Sequence, residues 1–249
     1  MLAAVVLTKS EEGNIGDCLD CLSFCDEVLV VDDFSQDRTR KIATKKGAQV
    51  YKRKLEDDFA AQRNFALQKT KMDWVLFVDA DERVSPGLRE EILQVVKKSG
   101  DKVGFYLNRE DHLFGKRIRF GEAGQIKLLR LAKRTGGKWA RRVHEVWQVT
   151  GEIGSLDKPL KHYPHPTITS FLKEINYYSR LHALTAFEEG KKSSLVKMIG
   201  YPFAKFLQNY LLRLGFLDMM PGLILALMMS LHSFLSQGKL YLLEKESTT

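Results

Sequence analysis

Three features of this 249-residue sequence predict an α/β protein, with a mostly parallel sheet flanked by helices and a helical C-terminal extension. Short β-rich apolar runs alternate with amphipathic stretches over residues 1–100, the pattern of successive βαβ units. Two of the apolar runs end in closely spaced aspartates, and the last third of the chain is rich in Leu, Met, Phe and Tyr at helical spacing.

In chain order, strands are predicted at 3–8, 27–33, 48–53 and 74–81, and helices at 11–24, 37–46, 57–70 and 85–98. Ser85 before Pro86 supplies an N-cap and a first-turn proline for the last of these helices. Between 103 and 164 the texture changes to short strands and Gly-rich turns. Helices follow at 170–190, 195–214 and 221–246. Ligands of parallel sheets sit beyond the carboxyl ends of the strands, which directs attention to Thr8, Asp32, Asp33, Asp79 and Asp81.

A formal charge of +8 favours an anionic partner: a nucleotide, a nucleic acid, a phosphorylated glycan or an acidic lipid surface. Between Lys102 and Arg142, twelve Lys and Arg face three Asp and Glu, either as a solvated basic face or as a site for anionic acceptor groups. The three cysteines, Cys18, Cys21 and Cys25, fall on one helical face beside Ile15, Leu19 and Leu22, so core packing is expected over metal binding or a disulfide. The first residues lack the basic flank and cleavage site of a signal peptide and are expected to form a buried strand.

The chemistry concentrates in two segments. In WVLFVDADE, residues 74–82, Asp79 and Asp81 project to the same side of a strand end, where two anions need a cation or hydrogen-bond donors. A divalent ion holding a diphosphate supplies that compensation; the alternative is a turn in which Asp81 caps the next element. In EVLVVDDFSQDRT, residues 27–39, Asp32 is placed to accept from a nucleobase or ribose, whereas Asp37 is expected to cap a helix.

With the opening VVLTKSEEGNI, these segments resemble the inverting glycosyltransferases of family 2, whose GT-A fold is Rossmann-like. The resemblance rests on a first-strand T-x-N-E-E pattern, a V-D-x-x-S-x-D turn and a D-x-D motif, here with Ser10 at the usual Asn. It implies a nucleotide-sugar site at Thr8, Glu11, Asp32, Asp33 and Asp79, and a Mg²⁺ or Mn²⁺ ion held by Asp81 with Asp79. FAAQRNFAL, residues 59–67, resembles a Q-R-N segment of the lipopolysaccharide-core branch, where Arg63 either reaches the diphosphate or lies on exposed helix surface. WARRVHEVW, residues 139–147, resembles the place of that branch's catalytic acid. Glu145 is then the base that takes the acceptor proton, with Arg141, Arg142 and His144 near the acceptor. An ion pair between Glu145 and Arg141 or Arg142 is the structural alternative. His162, in LKHYPHP, resembles a late metal or diphosphate contact, and structural packing is its alternative.

The implied organisation is a catalytic domain over 1–166, with a nucleotide-sugar half (1–100) and an acceptor half (101–166), and a helical extension over 167–249. The implied partners are a nucleotide-sugar donor, in the nearest branch a UDP-sugar carrying glucose, a lipid-linked phosphorylated glycan and a membrane surface, with no nucleic acid. The location implied is peripheral, at the cytoplasmic face of the inner membrane. Residues 219–238 carry no Asp, Glu, Lys or Arg, yet the apolar centre at 223–231 is short. Helices lying in the interface, a true span, and a soluble helical subdomain or homo-oligomer contact all stay open. A nucleotidyltransferase normally opens with a Gly-rich phosphate loop, and TKSEEGNI is acidic instead. Polyprenyl-phosphate sugar transfer, and a non-catalytic membrane-associated binder of glycan or nucleotide, remain as rivals.

Overall fold

The computed structural model describes residues 1–124, 126–142 and 145–247. Its backbone divides into two compact units, Met1–Arg109 with Lys127–His162, and Glu110–Ile126 with Tyr163–Thr249.

The first unit starts with β1 (Leu2–Thr8), α1 (Ile15–Asp20), β2 (Glu27–Asp32), α2 (Thr39–Lys45), β3 (Gln49–Lys52), α3 (Phe59–Lys69), β4 (Trp74–Asp79), β5 (Glu82–Val84) and α4 (Pro86–Lys97). β1 pairs in parallel with both β2 and β4, and β2 with β3. Alternate residues of β1 enter opposite layers. Ala4 and Val6 pack in a core with Ile15, Cys18, Leu88 and Ile92, while Ala3 and Val5 pack in a second core with Ala66, Phe77, Trp139 and Trp147. A strand covered on both faces needs apolar residues at every position, which is why β1 and β4 read as unbroken apolar runs. Ser85 caps α4 by accepting from the Leu88 amide, with Pro86 in the first turn.

The rest of the chain adds β6 (Lys102–Leu113), β7 (Lys116–Arg117), β8 (Ile126–Lys133), β9 (Gly137–Ala140), β10 (Val146–Val149) and β11 (Glu152–His162). The main sheet runs β3-β2-β1-β4-β8-β6-β11-β5, with β7 on β6. β8 runs antiparallel to β4, and β5 antiparallel to β11. The sheet is therefore mixed, where a mostly parallel one was expected. β6 and β11 are also long strands of 12 and 11 residues, not the short ones expected of this region. β9 and β10 form a separate antiparallel hairpin.

α1 is six residues long, against a prediction of 11–24. The residues ahead of it are tied to the neighbouring loop: the amides of Ser10, Glu11 and Glu12 donate to Ser35 Oγ (2.8 Å), Thr39 Oγ1 (2.8 Å) and Asp37 Oδ2 (3.1 Å). The cysteines are free and pack against the first core, as expected. Burial pushes the Cys25 thiol up to about 12, which keeps it protonated at neutral pH.

The second unit joins 110–126 to the helices α5 (Ile168–Glu188), α6 (Leu195–Leu207) and α7 (Met219–Glu246). Its core gathers Leu113, Ile118, Phe171 and Ile175 with Leu225, Met228, Leu231 and Leu235. The helix expected to 214 ends instead in a π-helical turn, Gln208–Leu212, and a 3-10 turn, Gly215–Asp218. Asn209 Oδ1 accepts from the Glu122 amide, and Asp218 Oδ2 from the amides of Arg119 and Phe120, so these turns hold the 119–122 loop. A Cβ on Gly215 would lie 2.5 Å from the Asn209 carbonyl oxygen, so only glycine allows the close approach.

Candidate active site

The parallel register sets Thr8 beside Asp32, and Leu7 beside Asp79, at the carboxyl ends of β1, β2 and β4. Asp32 is wholly buried: its Oδ1 accepts from Ser35 Oγ, and its Oδ2 accepts from the Ser35 amide (3.0 Å) and faces Arg40 Nε at 3.5 Å. Both oxygens are spent on the turn, so a ligand cannot reach the Asp32 carboxylate in this arrangement. Asp33 is the accessible neighbour, paired with exposed Lys9 at 2.7 Å and accepting from the Leu55 amide. Asp37 accepts from the Thr39 and Glu12 amides and ties the β1 and β2 loops together; the residue before α2, Arg38, makes no side-chain cap. Ser10 has φ 56°, a left-handed conformation in which Asn is enriched, which gives a backbone reason for Asn in the related pattern. Glu11 Oε2 accepts from Asn14.

The D-x-D segment lies at the centre of a charge network. Arg63 Nη2 is 3.0 Å from Asp79 Oδ1, and Arg130 Nη2 is 2.5 Å from Asp79 Oδ2. Burial alone would raise the Asp79 carboxyl, but Arg130 and Arg63 outweigh it and hold it well below the usual carboxylate range. Glu82, wholly buried, accepts from the Asp79 amide at 2.8 Å and lies 3.8 Å from Arg130; burial pushes its carboxyl up. Arg63 Nε also donates to Glu145 Oε1 at 2.9 Å. Glu145 thus pairs with a residue of α3, not with Arg141 or Arg142 as the structural alternative had it. Its Oε2 has no partner among the described residues.

Each residue of the Q-R-N segment holds a different element. Gln62 exchanges hydrogen bonds with Arg53, Arg63 bridges Asp79 and Glu145, and Asn64 accepts from the Trp139 amide (2.9 Å) and donates to its carbonyl (2.8 Å). Arg63 is 2% exposed and its guanidinium lies 4.8 Å from the Trp139 ring centroid and 5.4 Å from that of Phe77. The alternative of exposed helix surface for Arg63 is therefore excluded. α3 turns a polar face inward because that face carries charge to the strand ends.

Asp81 Oδ2 and His162 Nε2 stand 3.3 Å apart, both partly exposed, and His162 pairs with Glu82 in the β11–β5 register. The described residues contain no group of three or more His, Cys, Asp or Glu placed for a metal. Two protein ligands do fit a Mg²⁺ or Mn²⁺ ion whose remaining positions come from substrate phosphate and water. Asp79, with both oxygens on arginines, is not available to that ion in this arrangement. Thr8 Oγ1, Arg63 Nη1, Arg130 Nη1 and Glu82 Oε1 are buried without a hydrogen-bond partner among the described residues. Such orphans are uncommon and call for a ligand or ordered water.

The described residues thus join strand-end acids, two arginines with unpartnered donors and a carboxylate with one free oxygen. The model of the glycosyl transferase family 2 matches residues 3–120, which include all of these except Arg130, Glu145 and His162. Residues 3–120 form a family 2 glycosyltransferase domain. Over 96% of this glycosyltransferase, a lipopolysaccharide core biosynthesis glycosyltransferase of Rhizobium meliloti, LpsC, is 28% identical and covered over 92% of its length. An uncharacterized glycosyltransferase of Rickettsia prowazekii is 26% identical, covering 96% of this chain and 86% of its own. Among solved structures, glucosyl-3-phosphoglycerate synthase from Mycobacterium tuberculosis superposes with a TM-score of 0.49 at 16% identity, covering 78% of this chain and 80% of that one. The mixed sheet flanked by helices is of the GT-A type.

Arg141, with φ 71°, and Arg142 are exposed; Arg142 accepts from the Phe59 amide and donates to the Glu56 carbonyl. His144 lies outside the described residues. Arg130 and Glu82 were missed by sequence reasoning. The available signal was a lone arginine inside the apolar strand IKLLRLAK, since a charge there needs a buried partner.

Proposed function

We propose that this glycosyltransferase moves a sugar, glucose from UDP-glucose in the first instance, to a lipid-linked phosphorylated glycan of the lipopolysaccharide inner-core kind, with inversion at the anomeric carbon. The observation that carries the reading is the single arginine, Arg63, joining the D-x-D carboxylate to Glu145. The likeness to a lipopolysaccharide core enzyme along nearly the whole chain supports the acceptor class.

Thr8, Glu11 and Asp33 line the nucleoside end, with Asp32 holding the turn that presents them. The Nη1 groups of Arg63 and Arg130, buried and without a hydrogen-bond partner among the described residues, supply donors to the diphosphate once the donor sugar is bound. Asp81 and His162 hold a divalent ion, which when bound neutralises charge building on the leaving diphosphate. Asp79 keeps the two arginines in place. Glu145 Oε2 takes the proton of the acceptor hydroxyl as that oxygen bonds to the anomeric carbon. The bond from the anomeric carbon to the β-phosphate oxygen breaks on the opposite face, and its electron pair leaves with the nucleoside diphosphate. Arg141, Arg142 and His144 receive the phosphorylated acceptor. The enzyme works attached to the cytoplasmic face of the inner membrane, held by its second unit.

A panel of UDP-, GDP- and ADP-sugars, each with Mg²⁺, Mn²⁺ or chelator, tests the donor. Metal-dependent transfer from the UDP-sugar to a lipid-linked core acceptor, with an inverted linkage by NMR, is the expected result. Retention of configuration would remove Glu145 as base, and transfer to polyprenyl phosphate in preference to core glycan would replace the acceptor.

A further inference from the structure

The stretch Gly215–Glu246, with mean hydropathy 1.6 over its most apolar window, is long and apolar enough to cross a membrane by length and composition. The second unit argues against that use. α7 packs along α5, and Lys239 Nζ of α7 donates to the Asn176 carbonyl (2.6 Å), Asn176 Oδ1 (2.8 Å) and Ser179 Oγ (2.8 Å) on α5. The outer face of α5 carries Lys173, Glu174, Arg180 and Glu188, all exposed. A spanning α7 would draw those charges into hydrocarbon, where charged side chains are strongly disfavoured.

α6 has the opposite character. It has no buried residue, and part of its apolar surface faces outward, with Val196 81% and Ile199 64% exposed. Leu212, in the connection to α7, and Met220, in the first turn of α7, are 79% and 64% exposed. So large an apolar surface marks an interaction site. Residues 190–217 contain five Lys and Arg and no Asp or Glu. Between α6 and α7 lies an open apolar groove of about 430 Å³, lined by Met198, Ile199, Pro202, Leu227 and Phe234.

We propose that the second unit binds an acidic phospholipid leaflet in its plane. α6, the 208–218 connection and the first turn of α7 enter the headgroup and acyl boundary, Lys191, Lys192, Lys197 and Arg213 meet the headgroups, the groove takes acyl chain, and α7 does not cross. Apolar burial and basic attraction act together in such interfacial helices. The inference rests on the membrane attachment proposed above and adds its geometry.

The test uses the full-length protein with vesicles of phosphatidylglycerol and phosphatidylethanolamine, against phosphatidylcholine alone. Flotation should favour the acidic vesicles. The Val196→Glu, Leu212→Glu double variant should lose about tenfold or more in binding, and Leu172→Glu on the outer face of α5 should bind as the parent does. A C-terminal tag should be cleaved by protease from the same side of sealed membranes as an N-terminal one. A tag on the opposite side, or full binding by the double variant, overturns this placement while leaving attachment standing. If the parent floats with neither vesicle, or forms a lipid-free dimer through Val196 that does not float, attachment and placement both fall. Transfer to a delipidated acceptor in solution tests the chemistry apart from either.

Discussion

Arg63 Nε lies 2.9 Å from Glu145 Oε1 while Nη2 of the same side chain lies 3.0 Å from Asp79 Oδ1. One guanidinium on α3 therefore fixes both the D-x-D strand end and the carboxylate that begins the β10 side of a hairpin. A planar fork with several donors suits this double task, and an ammonium does not.

Replacing Arg63 by Met should destabilise the protein by up to about 3–5 kcal/mol, because Glu145 loses its ion-pair partner in a largely buried place and Asp79 keeps only Arg130. Urea titration measures the loss. Arg63→Lys should recover part of the stability yet little of the turnover, since the charge returns without the fork. Equal turnover in Lys and parent would mean that the bridge has no part in the chemistry.

Asn64→Ala removes both side-chain bonds to the Trp139 backbone. A cost of about 1–3 kcal/mol is expected from the unpaired backbone groups. Turnover should fall with nucleotide affinity nearly unchanged, as the hairpin carrying Glu145 loses its clamp while the strand ends keep theirs. A rise in nucleotide dissociation constant comparable to the loss in turnover would place the clamp in donor binding instead.

For Glu145→Gln, turnover at saturating donor and acceptor should drop by about 10²–10⁴-fold. The amide oxygen can still accept from Arg63 Nε, so the melting temperature should move little. Should turnover stay within a few-fold of the parent, Asp111 and Glu122 are the next carboxylates to test.

The two aspartates of D-x-D should separate. Asp81→Asn is expected to abolish the Mg²⁺- or Mn²⁺-dependent part of donor binding by calorimetry with the fold intact, because Asp81 is partly exposed and its ion pair is with His162. Asp79→Asn should chiefly lower stability, since two buried arginines lose their shared counter-charge. Unchanged metal dependence in Asp81→Asn would take the metal away from that residue.

The same carboxylate sets an acid limit. Asp79 titrates below its ordinary range when folded, so its stabilisation is fully present above the unfolded value of about 3.9 and is lost as pH falls through the depressed folded value. Glu82 acts with the opposite sign: raised by burial, it costs stability above the ordinary glutamate range of about 4.3. Thermal melts from pH 7 to pH 3 should show a shallower acid loss in Asp79→Asn than in the parent, and Glu82→Gln should be at least as stable as the parent at pH 7. A parallel pair of curves for Asp79→Asn and parent would remove Asp79 as the source.

The sequence by itself determined the order of strands and helices through α4 except for the short β5, and placed Thr8, Asp32 and Asp79 at strand ends with Asp81 in the turn that follows, because strand periodicity and chain direction are local properties. It also placed the cap at Ser85 and the helical character of the last third. Tertiary structure decided the rest. It withdrew Asp32 into its turn, tied three amides ahead of α1 to a neighbouring loop, and made the sheet mixed through β8, whose pairing with β4 joins segments far apart in sequence. It alone brought Arg63, Arg130 and Glu145 to Asp79. A buried charge is specified by its partner, and that partner lies 51 residues away for Arg130 and, for Arg63, 16 residues away at Asp79 and 82 at Glu145. No local pattern encodes separations of that length; only the closed sheet and the packed hairpin make those charges neighbours.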